Sequence, residues 1–116
     1  MNKRREKPCI TFGPYRVTCT PADAIINTTD IFTVCPTGPI RVRSRQRGDN
    51  LKLEGGTKSL KKRLIDKKIP AGQRALLPVL EDDRGILAVA ELGADLSRRA
   101  ETLPAVRIRI VKSSES

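Results

Sequence analysis

The sequence contains no histidine and no tryptophan, and only 3% of its 116 residues are aromatic. Without histidine the commonest general base of enzymes is missing, and no Ser-His or Cys-His nucleophile pair can form. Cys9, Cys19 and Cys35 are odd in number, and no Cys-x-x-Cys spacing occurs. Neither a zinc site, which wants four closely paired ligands, nor a disulfide framework is expected. The three thiols read instead as small buried hydrophobes in a reducing compartment. No apolar run approaches the roughly 18 residues of a membrane span. The start, MNKRREKPC, has basic residues but no apolar segment behind them, which is not a signal-peptide pattern. A cytoplasmic protein with no membrane contact is expected.

What the chain does have is 38% hydrophobic residues, 31% charged residues and a formal charge of +10. That composition fits one folded domain with a modest core of Leu, Ile, Val and Ala. The excess charge draws it to polyanions. The charge is concentrated: Arg41 to Leu80 holds twelve basic residues against Asp49, Glu54 and Asp66.

Short strands dominate. Cys9 to Phe12 and Tyr15 to Thr20 flank a Gly13-Pro14 turn, and Ile31 to Cys35 ends at Pro36. Ile40 to Arg45 alternates, with Ile40 and Val42 on one face and Arg41, Arg43 and Arg45 on the other. Pro78 to Leu80 and Ile86 to Leu92 read as a hairpin whose tip, Glu81-Asp82-Asp83, is expected to be solvated. Ala105 to Lys112 alternates again. One amphipathic helix is expected over Lys58 to about Lys67, capped by Thr57, with Leu60 and Leu64 inward and Lys58 and Lys62 outward. Pro70 stops it, and a short helical turn follows over Ala71 to Leu76. The fold class is α+β and strand-dominated: a small β-sandwich-like core with one basic amphipathic helix. Residues 1–8 are expected as a disordered basic N-terminus, 9–111 as a single domain and 112–116 as a flexible tail.

The stretch GGTKS, residues 55–59, superficially suggests a nucleotide loop. In a Walker loop the second glycine directly precedes the lysine, but Thr57 separates Gly56 from Lys58, and the first glycine is missing. A helix N-terminus can still hold one phosphate of a larger polymer, which would involve Gly55, Gly56, Thr57 and Lys58. A face of arginines beside a lysine-rich helix is an electrostatic footprint for a phosphate backbone. Candidate contacts are Arg43, Arg45, Arg47, Gly56, Thr57, Lys58, Lys61, Lys62, Lys67, Lys68 and Arg74. Arg74 reads equally as an RNA contact or an ion-pair partner, and Asp49 as a turn former or arginine partner. Phe12, Tyr15 and Phe32 all lie upstream of this region, which favours backbone recognition of a duplex over base stacking.

The segment VRSRQRGDNLKLEGGTKSLKKRLIDKKIPAGQRALLPVLEDDRGILAVAELG, residues 42–93, resembles the C-terminal domain of bacterial tRNA(Ile)-lysidine synthetase. The shared pattern is an arginine-rich strand ending in Gly48-Asp49, a glycine before a lysine-rich helix, Lys68-Ile69-Pro70 with Arg74 downstream, and Pro78-Val79-Leu80 before an acidic turn. It departs from the family where Leu64-Ile65 stand for a frequent aromatic, and where Ala88 and Glu91 stand for Trp and Gly. The resemblance implies a substrate-recognition domain that contacts the acceptor stem of a tRNA and is similar to a domain of the phenylalanyl-tRNA synthetase β chain. The family's catalytic Ser-Gly-Gly-x-Asp-Ser motif does not occur in this sequence. The resemblance therefore implies no catalysis, metal or cofactor in this chain, with ATP and Mg belonging to the parent ligase. Structured tRNA and the remainder of that ligase are the implied partners. A small nucleotide enzyme and a general RNA- or ribosome-associated adaptor are the competing readings.

Overall fold

The structure, a computed structural model, describes residues 9–112. The expected N-terminus over 1–8 and the tail beyond Lys112 lie outside those residues, and Lys112 itself closes the last strand. In chain order the strands are β1 (Cys9–Phe12), β2 (Tyr15–Pro21), β3 (Ile31–Val34), β4 (Arg41–Arg43), β5 (Asn50–Leu53) and β6 (Gly56–Ser59). Helices α1 (Leu60–Asp66) and α2 (Ala71–Arg74) precede β7 (Val79–Asp82), β8 (Gly85–Val89), β9 (Gly93–Ala94) and β10 (Val106–Lys112).

The first sheet has the order β1-β2-β10-β3, antiparallel throughout. Its period of two sorts the side chains. Ile10, Val17 and Ile110 form one cross-strand row, and Cys19, Ile108 and Phe32 the next. The second sheet has the order β4-β7-β8-β9, with Val42, Leu80, Ala88 and Ala94 in register. These two apolar faces meet in one core cluster, joined by Leu64, Ile69 and Leu77. The expected sandwich is present. Its second sheet is also covered on its other face, where Val79 and Val89 pack with Leu51 and Leu60. Burial on both faces is why β8 and its neighbours read as a continuous apolar run rather than an alternation.

That extra cover is the β5–β6 hairpin, which sequence reasoning did not anticipate. Gly55 and Gly56, at φ +97° and +110°, shape its turn rather than the approach to a helix. Thr57 and Lys58 are strand residues, and Ser59 caps α1, its Oγ accepting from the Lys62 N–H at 3.1 Å. The helix is thus seven residues long and begins two residues later than expected. Leu60 and Leu64 do face inward, at 1% exposure each. Full burial of a leucine contributes roughly 1.5–3 kcal/mol. Arg63 fastens the helix to the hairpin by donating to the Leu51 and Gly56 carbonyls.

The C-terminus of α1 is a Schellman motif. Ile69 N–H donates to the Leu64 carbonyl at 3.1 Å and Lys68 N–H to the Ile65 carbonyl at 2.9 Å. Lys68 occupies the left-handed position, φ +61°, where glycine is usual.

Two expectations need correction. Cys35 is exposed rather than buried, because β3 ends at Val34 and the chain turns outward before Pro36; Cys19 is half-buried against the core. The acidic hairpin tip is not a solvated triplet. Glu81 and Asp82 belong to β7, the turn is Asp83-Arg84, and Asp82 is 2% exposed. Its carboxylate accepts from Arg98 Nη2 at 2.5 Å, Thr37 N at 2.6 Å and Arg84 N at 2.9 Å. Arg98 is itself buried, as the last residue of a 3-10 turn capped by Asp95. Sequence reasoning could not see this partner, since sixteen residues separate the pair.

Burial pushes the Asp82 carboxyl up, but the Arg98 guanidinium and the two backbone donors outweigh it, so its pKa lies below the ordinary value. A depressed folded pKa contributes stability that is complete above the unfolded carboxylate value of about 4 and is lost as pH falls through the lower folded one. Arg98→Met should cost about 3–5 kcal/mol, because it strands a buried carboxylate. In a pH series the deficit of the variant relative to the parent should shrink as pH falls, because protonation of Asp82 relieves the stranded charge in the variant and removes the ion pair's advantage in the parent. Equal melting temperatures at neutral pH would refute the role of the pair. Lys68→Gly should act oppositely. Relief of a left-handed side-chain residue, about 1–2 kcal/mol, is partly offset by about 0.4–1 kcal/mol of added unfolded-chain freedom. A melting temperature about 4 °C higher is expected; a lower one would contradict the cap assignment.

Candidate nucleic-acid interface

The arginine strand and the lysine helix converge, through a different geometry from the one expected. β4 ends at Arg43, and the chain runs through Ser44 to Asp49 before entering β5. This loop and the start of α1 enclose an open cavity of about 450 Å³ lined by Arg45, Gln46, Arg47, Asp49, Ser59 and Lys61 around Gly48.

Asp49 builds both walls. Its carboxylate accepts from Arg43 Nη1 at 2.9 Å and Arg43 Nη2 at 3.0 Å, a bidentate pair. It also accepts the Gln46 N–H at 2.8 Å, closing the turn. The Asp49 carbonyl takes the Leu60 N–H at 2.9 Å, which fixes the first residue of α1 against the loop. Burial raises the Asp49 pKa, but Arg43, the Gln46 N–H and nearby Arg45 more than compensate and hold it below the usual carboxylate range. The reading of Asp49 as an arginine partner matches this arrangement.

Arg43 is correspondingly engaged. Besides Asp49 it donates from Nε to Glu81 at 2.8 Å, and these carboxylates, Asp49 foremost, raise its pKa. Arg41, one of the expected arginine face, bonds Glu81 at 3.3 Å and Asp83 at 3.2 Å. The face of Arg41 and Arg43 therefore serves the β4–β7 pairing through charged cross-strand contacts. Arg45 differs: it is half-buried, and its Nε is buried without an acceptor among the described residues. Arg47 and Lys61 are exposed.

The other candidates spread along one side of the domain. Lys62 is exposed beside Lys61. Thr57 and Lys58 are exposed on β6, with Lys58 making a long 3.9 Å ion pair to Asp66. Gly56 is half-buried with its carbonyl taken by Arg63. Gly55, Gly56, Thr57 and Lys58 consequently do not form a helix N-terminus, and the phosphate arrangement expected of them there is absent. Lys67 and Lys68 are exposed at the opposite end of α1, about 9 Å along its axis from Lys61 at 1.5 Å per residue. Arg74 ends α2, half-buried, with its Nε lacking an acceptor among the described residues. It does not line the cavity. Ser59 and Gln46 were missed by sequence reasoning. The signal for Ser59 was its place directly before the Leu60/Leu64 face, a better cap position than Thr57.

Among the described residues, no group of three His, Cys, Asp or Glu side chains could hold a metal, and no helix is long and apolar enough to cross a membrane.

Comparison with known proteins agrees with this layout. The profile of the TilS substrate C-terminal domain matches residues 40–110, from the start of β4 through most of β10. A tRNA(Ile)-lysidine synthase of Clostridioides difficile (strain 630) is 43% identical over 54 residues, covering 47% of this chain and 12% of that protein. One of Geobacillus kaustophilus (strain HTA426) is 46% identical over 61 residues, covering 48% of this chain and 13% of that protein. The chain thus spans only about an eighth of the length of these curated relatives. A crystal structure of a TilS C-terminal domain superposes with a TM-score of 0.79 at 29% identity, covering 94% of this chain and 92% of its own. With the matched segment carrying the cavity, the hairpin and the second sheet together, the chain belongs to the TilS substrate C-terminal domain family.

Proposed function

We propose that this chain is the tRNA-binding accessory domain of a tRNA(Ile)-lysidine synthetase, the ATP-dependent ligase that joins lysine to the wobble cytidine of a tRNA(Ile). In this reading it is not an enzyme by itself and binds no cofactor. ATP and Mg serve the catalytic part of the parent ligase, with which this domain works in the cytoplasm. Its own task is to grip the phosphate backbone of a structured region, the acceptor stem.

The observation that carries the proposal is the cavity of Arg45, Arg47 and Lys61, whose one lining carboxylate, Asp49, is already bonded to Arg43. A phosphate entering there meets guanidinium and ammonium groups without an unpaired anion beside them. Arg45 lines the cavity and makes no ion pair among the described residues. Lys58, Lys62, Lys67 and Lys68 extend the positive field along α1 and its flanks. Duplex backbone is favoured over single strands because Tyr15 and Phe32 are buried, at 2% and 0% exposure, and the half-buried Phe12 does not line the cavity, so none is placed to stack on bases there.

The test is a pair of charge reversals at exposed positions, Arg47→Glu with Lys61→Glu. Each should change stability by no more than about 0.5 kcal/mol. tRNA affinity should collapse at moderate salt. The parent's affinity should fall with salt at a log–log slope of roughly −4.5, from about five phosphate contacts at ~0.9 each. Normal tRNA binding by the double variant, a flat salt response, or equal preference for an unstructured single strand would each reject this reading.

A further inference from the structure

The chain's net charge hides a second sorting of charge, on the outer face of the first sheet. Alternation places Arg16, Thr18 and Thr20 of β2 outward, beside Val111, Arg109 and Arg107 of β10. Cross-strand register pairs Arg16 with Val111, Thr18 with Arg109 and Thr20 with Arg107. Arg107 and Arg109 thus stand two residues apart on one strand, and Arg16 is a diagonal neighbour of Arg109, within about 8 Å. These six residues line a shallow cavity of about 470 Å³, and none of them is acidic. Among the described residues one carboxylate pairs with the group, Asp23 to Arg107 at 2.6 Å, and it is largely exposed. Arg16 and Arg109 are exposed and have no ion pair there. Arg107 Nε is buried without an acceptor.

Clustered like charges on adjacent strands destabilise a sheet unless an anion relieves them. The rest of the face fits an anion with oxygen acceptors. Thr18 and Thr20 add hydroxyl donors, and guanidinium groups match phosphate in forked geometry. A protein partner would need a desolvated apolar anchor at the centre of its interface, and this face offers only Val111, 49% exposed. The loop over residues 22–30 covers the β3 end of the face by bonding Thr33, with Ile26 N–H donating to Thr33 Oγ1 at 2.9 Å. The open part is therefore the β2–β10 strip.

We infer that this strip is a second RNA-backbone site, separate from the Arg45–Arg47–Lys61 cavity and facing away from the second sheet. The two surfaces take different segments of one folded RNA, so the domain recognises the relation between segments as well as local charge. The inference rests on the reading of this chain as an RNA-binding domain.

The probe is a short blunt RNA duplex, titrated calorimetrically at low salt into the chain and three variants. The parent binds two duplexes. Arg16→Glu with Arg109→Glu binds one, Arg47→Glu with Lys61→Glu binds one, and Arg16→Lys with Arg109→Lys retains two. With intact tRNA, the sheet variant should lose close to two units of log–log salt slope, about 0.9 for each phosphate contact removed. A sheet variant that still binds two duplexes with an unchanged slope overturns the second site and leaves the cavity reading standing. A parent that binds one duplex, lost in the sheet variant alone, supports this site and removes the cavity. No duplex binding by the parent removes both. Displacement of the remaining duplex from the cavity variant by polyglutamate at equal charge would overturn the assignment to RNA in favour of an acidic protein.

Discussion

The arrangement of the candidate interface depends on one carboxylate. Asp49 sits where the loop after β4 must meet the first turn of α1, and its two ends hold both. The side chain closes the Gln46–Asp49 turn and takes the Arg43 fork, tying the loop back to the second sheet. The carbonyl receives the Leu60 N–H, which sets where the helix begins. Without these bonds Arg45, Arg47 and Lys61 would stand on separate mobile side chains, each free to point anywhere in solvent. Held by Asp49 they line one cavity. Asp49 lowers the local positive charge, and the geometry it provides compensates for that loss.

The same logic runs through the domain. Several acidic residues are placed where structure needs them, and Asp82 and Glu81 are matched by arginines. Asp82 and Arg98 pair in the interior, Glu81 bridges Arg41 and Arg43 across β4 and β7, and Asp95 caps a turn while accepting the Lys52 N–H. Arg43 holds the Glu81 pKa down, with Arg41 adding to the effect. Arginine suits this use because its fork satisfies two acceptors at once. The lysines, by contrast, stay at the surface of α1 and β6, where a compact hydrated charge costs little to expose. A basic protein thereby keeps its arginine–carboxylate pairs at structural positions and an electrostatically open exterior.

Much of this was legible in the sequence. The alternation in β4 and β10 marked their faces correctly, and Leu60 and Leu64 marked the buried side of α1. The order of motifs from Val42 to Gly93 identified the family. What failed was local. LKLEGGTKS carries a period-two signal at Leu51 and Leu53, but the lysine-rich run behind it drew the helix start back to Lys58. Glycine pairs serve turns and helix approaches alike, and only the pairing of β5 with β6 separates the two. Long-range partners were also invisible: nothing local assigns Arg98 to Asp82, or Asp49's carbonyl to Leu60. The outer strip of Arg16, Arg107 and Arg109 escaped because its residues come from opposite ends of the chain, and the sequence outside Arg41–Leu80 is nearly neutral as a whole.

The central claim is that Asp49 matters for RNA through position rather than charge. Asp49→Asn removes a negative charge beside the proposed phosphate site, so charge alone would tighten binding. The decisive measurement is the dissociation constant of this variant for a tRNA acceptor-stem duplex at fixed salt and a temperature well below its melting point, beside that of the parent. Weaker binding by the folded variant, despite its added net positive charge, is the result this account predicts. Equal or tighter binding would contradict it, and would mean that the cavity walls hold without the carboxylate or that RNA binds elsewhere.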